Sequence, residues 1–143
     1  MEDNAQNEDY VELGDKYIIK KEIDRNGDIS IILLVEDKCT HKIYVAKTHN
    51  NEDYKYLIEK EIKIFQHLLN KQRHYIVDFI EDGEGNLIKK NLEEEQKKYI
   101  ILEYCSKGTL FDYCNLLGKG FKKDFAKLIF YKILKRIEFI HGN

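Results

Sequence analysis

The chain has 143 residues, of which 43% are hydrophobic and 35% are charged, with a formal net charge of −2. This length and apolar content suffice for one domain with a core, and they exclude a chain that is disordered throughout. The near balance of charges argues against nucleic acid or an anionic membrane as a partner. The longest apolar runs are far too short to cross a bilayer.

Cysteine and histidine usage narrows the class further. The cysteines at 39, 105 and 114 form no CxxC pair, and no charged-then-apolar leader opens the chain. A small, odd number of cysteines is typical of a reduced protein, so we expect a cytoplasmic location. The five histidines have no metal-binding spacing, alone or with the cysteines, and we expect no metal site.

The first half of the chain reads as an arm followed by three strands and a helix. Residues 1–16 carry six acids and one lysine, which predicts a mobile acidic arm. Alternating apolar residues and short polar turns, with Asn26-Gly27 in the first turn, predict an antiparallel meander of strands at 17–23, 29–36 and 43–47. Residues 50–69 follow as a helix that opens with asparagine cap candidates.

The second half predicts two more strands and two helices. The strands are expected at 75–81 and 98–104, separated by a polar insert at 82–97. The helices are expected at 108–117 and at 124–142, the second capped by Asp124 and stopped by Gly142. The second helix is apolar around much of its circumference, as is typical of a helix inside a larger body.

Two charges interrupt apolar faces. Lys47 shares a strand face with Ile43 and Val45, because strand side chains alternate with period two. Glu61 is the one carboxylate within the apolar stripe of the following helix. An unpaired buried charge is costly, so the least costly arrangement has Lys47 and Glu61 facing each other. The Lys47 ammonium would then be available to a phosphate. In the alternative, Lys47 ends an edge strand and extends to water, with Glu61 at the border of the stripe.

The order of these elements and four segments resemble the eukaryotic protein kinases. The segments are "YVAK" (44–47), "EKEIKIFQHLLNKQRHYIVDFIE" (59–81), "YIILEYCSKGTLFDYC" (99–114) and "AKLIFYKILKRIEFIHGN" (126–143). The resemblance covers residues 17–143. It implies an α+β fold: a small lobe at 17–103 with a five-stranded antiparallel sheet and the family's αC helix. The hinge and the αD and αE helices of a truncated large lobe then occupy 104–143.

The resemblance also implies an ATP site. In the family, the strand-three lysine holds the α- and β-phosphates and the αC glutamate holds the lysine, which assigns these roles to Lys47 and Glu61. Leu102 takes the gatekeeper position, and Glu103 C=O and Cys105 N–H would bond the adenine. The other implied contacts are Ile32 and Val45 around the adenine ring, Thr109 near the ribose, and Gly27 in the loop over the phosphates.

The loop over the phosphates departs from the family pattern. Arg25, Gly27 and Ser30 stand at the three positions that are glycine in the family, so only Gly27 is retained. Glycines there let backbone N–H groups approach phosphate closely. We expect an ordinary hairpin turn, and as the alternative a loop in which the charge of Arg25 partly compensates for the missing glycines.

The catalytic segments of the family are missing from these 143 residues. No H-R-D, D-F-G or A-P-E sequence occurs, and His141 resembles the structural histidine that ends αE. Without a base or a magnesium site, the chain alone is expected to bind ATP weakly and to show little or no activity.

Three readings of the function remain open. The first is part of a protein kinase that transfers phosphoryl groups from ATP to Ser, Thr or Tyr hydroxyls, with the hinge sequence favouring Ser/Thr. The second is a non-catalytic module that docks a partner or a second copy through the exposed αE face. The third is a relic that does not fold stably.

Overall fold

The computed structural model describes residues 9–69, 71, 76–118 and 120–143. Most of the predicted acidic arm and the first residue of the predicted strand at 75–81 lie outside the described residues. The elements in chain order are β1 (Tyr10–Leu13), β2 (Tyr17–Asn26), β3 (Ser30–Asp37), β4 (Ile43–His49), a short 3-10 turn (Glu52–Tyr54), α1 (Lys55–Leu68), β5 (Phe79–Lys89), β6 (Glu94–Glu103), α2 (Leu110–Leu117) and α3 (Lys123–His141).

The six strands form a closed antiparallel barrel in the order β1-β2-β3-β4-β6-β5. The expectation of five strands was wrong, because residues 10–13 of the acidic segment contribute a sixth. Leu13 is fully buried, and it pairs with Tyr17 on one side and with Leu87 on the other. Burial of this one leucine and pairing on both sides place the apolar end of the acidic segment in the sheet.

The predicted polar insert at 82–97 is also part of the sheet. It supplies most of β5 and the first four residues of β6. The two strands pair from Phe79–Leu102 to Ile88–Glu94. Its glycines explain how: a Cβ atom at Gly83 would lie 2.5 Å from Tyr99 Oη, so the absence of a side chain there leaves room for the Tyr99 ring. The insert therefore consists largely of strand residues that lie beside a buried tyrosine, and it is not a loop throughout.

Helix α1 packs on the outside of the barrel. Its buried residues Ile58 and Ile62 form a cluster with Ile100 of β6, and partly buried Phe79 and Leu102 pack against that cluster. Of the predicted asparagine caps, Asn51 caps the 3-10 turn, since its side chain accepts from Asp53 N–H at 3.0 Å. The α-helix itself begins later than predicted, at Lys55, and has no side-chain cap. The apolar stripe therefore directs one face of the helix onto β4 and β6.

Helices α2 and α3 are confirmed as elements, but neither contains a buried residue. Helix α3 begins one residue earlier than predicted, so Asp124 lies in its first turn rather than at its cap. A carboxylate there still interacts favourably with the helix dipole. Among the described residues, we find no helix whose length and apolar character together would carry it through a bilayer.

Candidate functional site

The site is organised around one ion pair between the sheet and α1. Lys47 Nζ on β4 donates to Glu61 Oε2 on α1 at 2.8 Å. The two side chains are 29% and 31% exposed, so both charges are partly sheltered yet reachable from solvent. The structure thus brings together the two charges that interrupt apolar faces in the sequence.

Four half-buried side chains, that of Lys47 among them, share one face of the sheet. The register sets Ile32 of β3 opposite Lys47, and Leu102 of β6 opposite Val45. Directly paired residues in an antiparallel sheet point to the same face. The neighbouring Ala46 points to the other face and is fully buried inside the barrel. Ile32, Val45 and Leu102 therefore form an apolar surface on the outside of the barrel, beside the ion pair.

The segment after β6 is held at both ends. Glu103 N–H donates to Asp78 O, and Asp78 N–H donates to the Glu103 carboxylate, both at 3.0 Å. Cys105 follows as an exposed free thiol. Thr109 then caps α2, since Asp112 N–H donates to its hydroxyl at 3.1 Å and its own N–H donates to Asp112 Oδ2 at 2.9 Å. The Thr109 N–H that donates to the carboxylate lowers the pKa of Asp112, and the Thr109 hydroxyl lowers it further. The cap gives Thr109 a structural role.

The β2–β3 turn (residues 27–29) is a tight hairpin. Ile29 N–H donates to Asn26 O at 2.9 Å, and Gly27 has a φ of +51°, a conformation that favours glycine. Ser30 is buried at the start of β3. The expected hairpin turn is therefore what forms at the position of the family's phosphate loop.

Arg25 does not turn toward the lysine. Its guanidinium donates to both carboxylate oxygens of Glu22, at 2.8 and 2.7 Å, and this pairing raises its pKa. Its partner across the sheet is Ile31, which is buried inside the barrel. The guanidinium lines a cavity of about 660 Å³ with Tyr10 and Lys89, and Lys47 is not part of that lining. This arrangement does not support the alternative in which the charge of Arg25 compensates for the missing glycines.

Sequence reasoning missed a polar cluster at the end of β4. His49 is fully buried; its Nε2 accepts from Lys98 N–H at 3.1 Å, and its Nδ1 lies 3.2 Å from Asn51 O. Burial lowers the pKa of His49, and the nearby Lys97 ammonium lowers it further. Lys97 is only 4% exposed and donates to Asn50 O at 2.9 Å. The paired asparagines before the helix were the available signal, but they indicated only a cap.

Metal-ligand chemistry has no candidate in the part of the chain that the structure describes, where no three His, Cys, Asp or Glu residues converge. Two of the histidines instead contact other protein groups, one close by in the sequence and one just beyond the far end of α3. His41 Nδ1 lies 3.0 Å from Glu36 Oε1, and His67 Nε2 lies 2.7 Å from Asn143 O. His74 lies outside the described residues.

Comparison with known proteins now decides the family. The sequence profile of the protein kinase domain matches residues 18–143. The chain belongs to the protein kinase family. Myosin light chain kinase A of Dictyostelium discoideum is 30% identical over 128 residues, which are 88% of this chain and 39% of the relative.

Two further protein kinases show similar likeness. Calcium-dependent protein kinase 31 of Arabidopsis thaliana is 29% identical over 121 residues, covering 79% of this chain and 22% of the relative. Serine/threonine-protein kinase 4 homolog B of Dictyostelium discoideum is 29% identical over 93 residues, covering 65% and 7%. This kinase chain thus spans about two fifths or less of the length of these relatives.

Magnesium, which the protein kinase family uses with ATP, does not fit the residues present. The family's magnesium ligands belong to the D-F-G segment and the catalytic loop, and neither sequence occurs in the 143 residues. The carboxylate nearest to Lys47 in the described contacts, Glu61, is already paired with the ammonium. No magnesium ligand is therefore assigned within this kinase chain.

Proposed function

We propose that this chain forms the nucleotide-binding side of a protein kinase that transfers the γ-phosphoryl group of ATP to serine or threonine hydroxyls of proteins. The contact between Lys47 and Glu61 carries the proposal. A lysine held by a carboxylate on a neighbouring helix is the arrangement that fixes the α- and β-phosphates in this family. One named relative is a serine/threonine kinase, which supports the acceptor class.

Each remaining site residue has a proposed part. The Lys47 ammonium contacts the phosphates as a point charge, while Glu61 holds it in position. The apolar surface of Ile32, Val45 and Leu102 packs against the adenine ring. The hinge contributes Glu103 C=O and Cys105 N–H to the adenine edge, with Thr109 beside the ribose and Gly27 in the turn near the phosphates.

Catalysis needs more than these residues. The phosphoryl transition state requires charge neutralisation and a positioned acceptor hydroxyl, and neither the family's base nor its magnesium ligands occur among the 143 residues. We therefore expect this chain alone to bind ATP weakly and to transfer no phosphoryl group. All three cysteines are unpaired, which supports the cytoplasm as its proposed location.

Calorimetric titration of the 143-residue chain with ATP and with adenosine tests the nucleotide site. Lys47→Met removes a charge-assisted hydrogen bond of about 1.5–3 kcal/mol, so ATP affinity should fall by roughly tenfold or more. Adenosine affinity should not change, because adenosine has no phosphate. Magnesium should alter the ATP affinity little, and a strong magnesium dependence would contradict this assignment.

Lys55→Met is the matched control. Lys55 is the first residue of α1, the helix that carries Glu61. It pairs with Glu84 at 3.0 Å and its side chain is 28% exposed, so its replacement removes a similar ion pair away from Lys47. We expect the control to leave ATP affinity unchanged. Equal affinity losses in the two variants, or none in Lys47→Met, would remove the lysine from the proposed role.

A second candidate function is supported by α3, which is the proposed docking face of a non-catalytic module. Leu128, Phe130 and Tyr131 are 49%, 63% and 57% exposed, a concentration of apolar area that is uncommon on the surface of a monomer. Light scattering at increasing concentration tests self-association of the 143-residue chain. A concentration-dependent dimer that Phe130→Glu dissociates supports this candidate, and a monomer at all concentrations counts against self-association.

A further inference from the structure

The β2–β3 turn is hydrogen-bonded to the connection between β4 and α1. Asn50 Nδ2 donates to Gly27 O at 3.1 Å. Two backbone bonds accompany it, from Asn50 N–H to Ile29 O at 3.2 Å and from Asn51 N–H to Asp28 O at 3.0 Å. Of these three bonds, only the first depends on the identity of a side chain.

The connection formed by Asn50 and Asn51 is itself fixed from the barrel and from the helix. Lys97 of β6, almost fully buried, donates to Asn50 O. The buried His49 ring contacts Asn51 O, and the Asn51 side chain accepts from Asp53 N–H in the 3-10 turn. Asn50 and Asn51 are therefore hydrogen-bonded to the β2–β3 turn, to β6 and to the start of the helical segment.

This connection lies between the two halves of the ion pair along the chain. Lys47 precedes it by three residues on β4, and Glu61 follows it on α1. A loop rich in glycine is conformationally permissive and must be ordered when a ligand binds. Here the turn retains one of the three family glycines and bonds to a neighbouring segment that is itself held in place.

We propose that Asn50 is a positioning residue: its side chain holds the β2–β3 turn against the start of α1, so that the turn and the Lys47–Glu61 pair form one preorganised phosphate-binding surface. The consequence for nucleotide affinity rests on the proposed function. Preorganisation raises affinity by removing the cost of ordering at the moment of binding. Asn50 should therefore affect ligands that carry phosphate and leave adenosine affinity unchanged.

Amide hydrogen exchange of the 143-residue chain without nucleotide tests the hydrogen-bonded contact directly. In Asn50→Ala and in Asn50→Asp, which keeps the size but replaces the donor by an oxygen, exchange of the Asn51 amide and of residues 27–29 should accelerate by about five- to tenfold, as expected for the loss of a bond of about 1 kcal/mol. The control is Asn86→Ala, since Asn86 Nδ2 also donates to a side chain, Glu94 Oε2, at 2.9 Å; it should leave these amides unchanged.

Titration with ATP and with adenosine separates positioning from general stability. ATP affinity should fall by about three- to tenfold in both Asn50 variants, with adenosine affinity unchanged. Unchanged exchange in Asn50→Asp would overturn the proposal, as would equal losses of ATP and adenosine affinity. Should the unsubstituted chain bind no ATP, the proposed function fails, while the exchange result still decides whether Asn50 holds the turn.

Discussion

Gly83 of β5 gives the sharpest test of how the barrel is packed, and we expect Gly83→Ala to destabilise the chain. A Cβ atom there would lie 2.5 Å from Tyr99 Oη and 2.6 Å from Tyr99 Cζ. The Tyr99 ring is 8% exposed, and it meets the Tyr17 ring edge-on with 6.4 Å between centroids, so neighbouring side chains confine it. Overpacking of this kind costs about 1–3 kcal/mol, which lowers Tm by roughly 3–12 °C for a chain of this size.

Urea unfolding followed by circular dichroism measures the effect, with the slope of the transition checked for change. Gly120→Ala is the control, because a Cβ atom at Gly120 would meet nothing within 4 Å and should shift stability by no more than about 0.5 kcal/mol. In a Tyr99→Leu background, Gly83→Ala should cost at least about 1 kcal/mol less than in the unsubstituted chain. Equal stability of Gly83→Ala and the unsubstituted chain, or an undiminished cost in the Tyr99→Leu background, would refute the packing argument.

Three further predictions concern the site and its supports. In a double-mutant cycle of Lys47→Met with Glu61→Gln, urea unfolding should give a coupling of about 0.5–1.5 kcal/mol, and a value near zero would mean that the pair adds nothing to stability. His49 has a lowered pKa in the folded chain. Its contribution to the free energy of unfolding is therefore present above its pKa in the unfolded chain, about 6.5, and is lost as the pH falls below that pKa. Unfolding between pH 7.5 and 5 should therefore show a larger loss of stability in the unsubstituted chain than in His49→Gln. Equal losses in the two chains would show that the His49 imidazole does not cause the pH dependence. Thr109→Ala removes the cap of α2 and should cost about 1 kcal/mol of local helix stability, detectable as faster amide exchange in residues 110–117, whereas unchanged exchange would show the cap to be dispensable.

The strands and helices with a clear period were predictable, and the two missed strand segments share one physical cause. Residues 10–13 are too short and too close to acids for alternation to be evident, and their place is fixed by pairing with residues far along the chain, such as Leu87. In the insert, the apolar residues are sparse. Its conformation depends on Gly83 accommodating Tyr99, a contact between strands that no local pattern contains.

The residues of the site likewise divide into those that the sequence could predict and those that it could not. Lys47 and Glu61 were identifiable because each places a charge within an apolar face, and local periodicity exposes such exceptions. Asn50 and Lys97 were not, since their roles come from hydrogen bonds to the turn and to the connection. Those bonds exist only once β3, β4 and β6 lie side by side.

The pairing of β1 with both β2 and β5 has a consequence for how other molecules can join this chain. In the part that the structure describes, every strand has a neighbour on each side, but the short β1 reaches only Tyr17 and Ile18 of β2 and Leu87 to Lys89 of β5. Along the rest of their length β2 pairs with β3 and β5 pairs with β6. An incoming peptide that adds as a strand would therefore have to join beside β1, where backbone donors and acceptors of β2 and β5 are not covered by it.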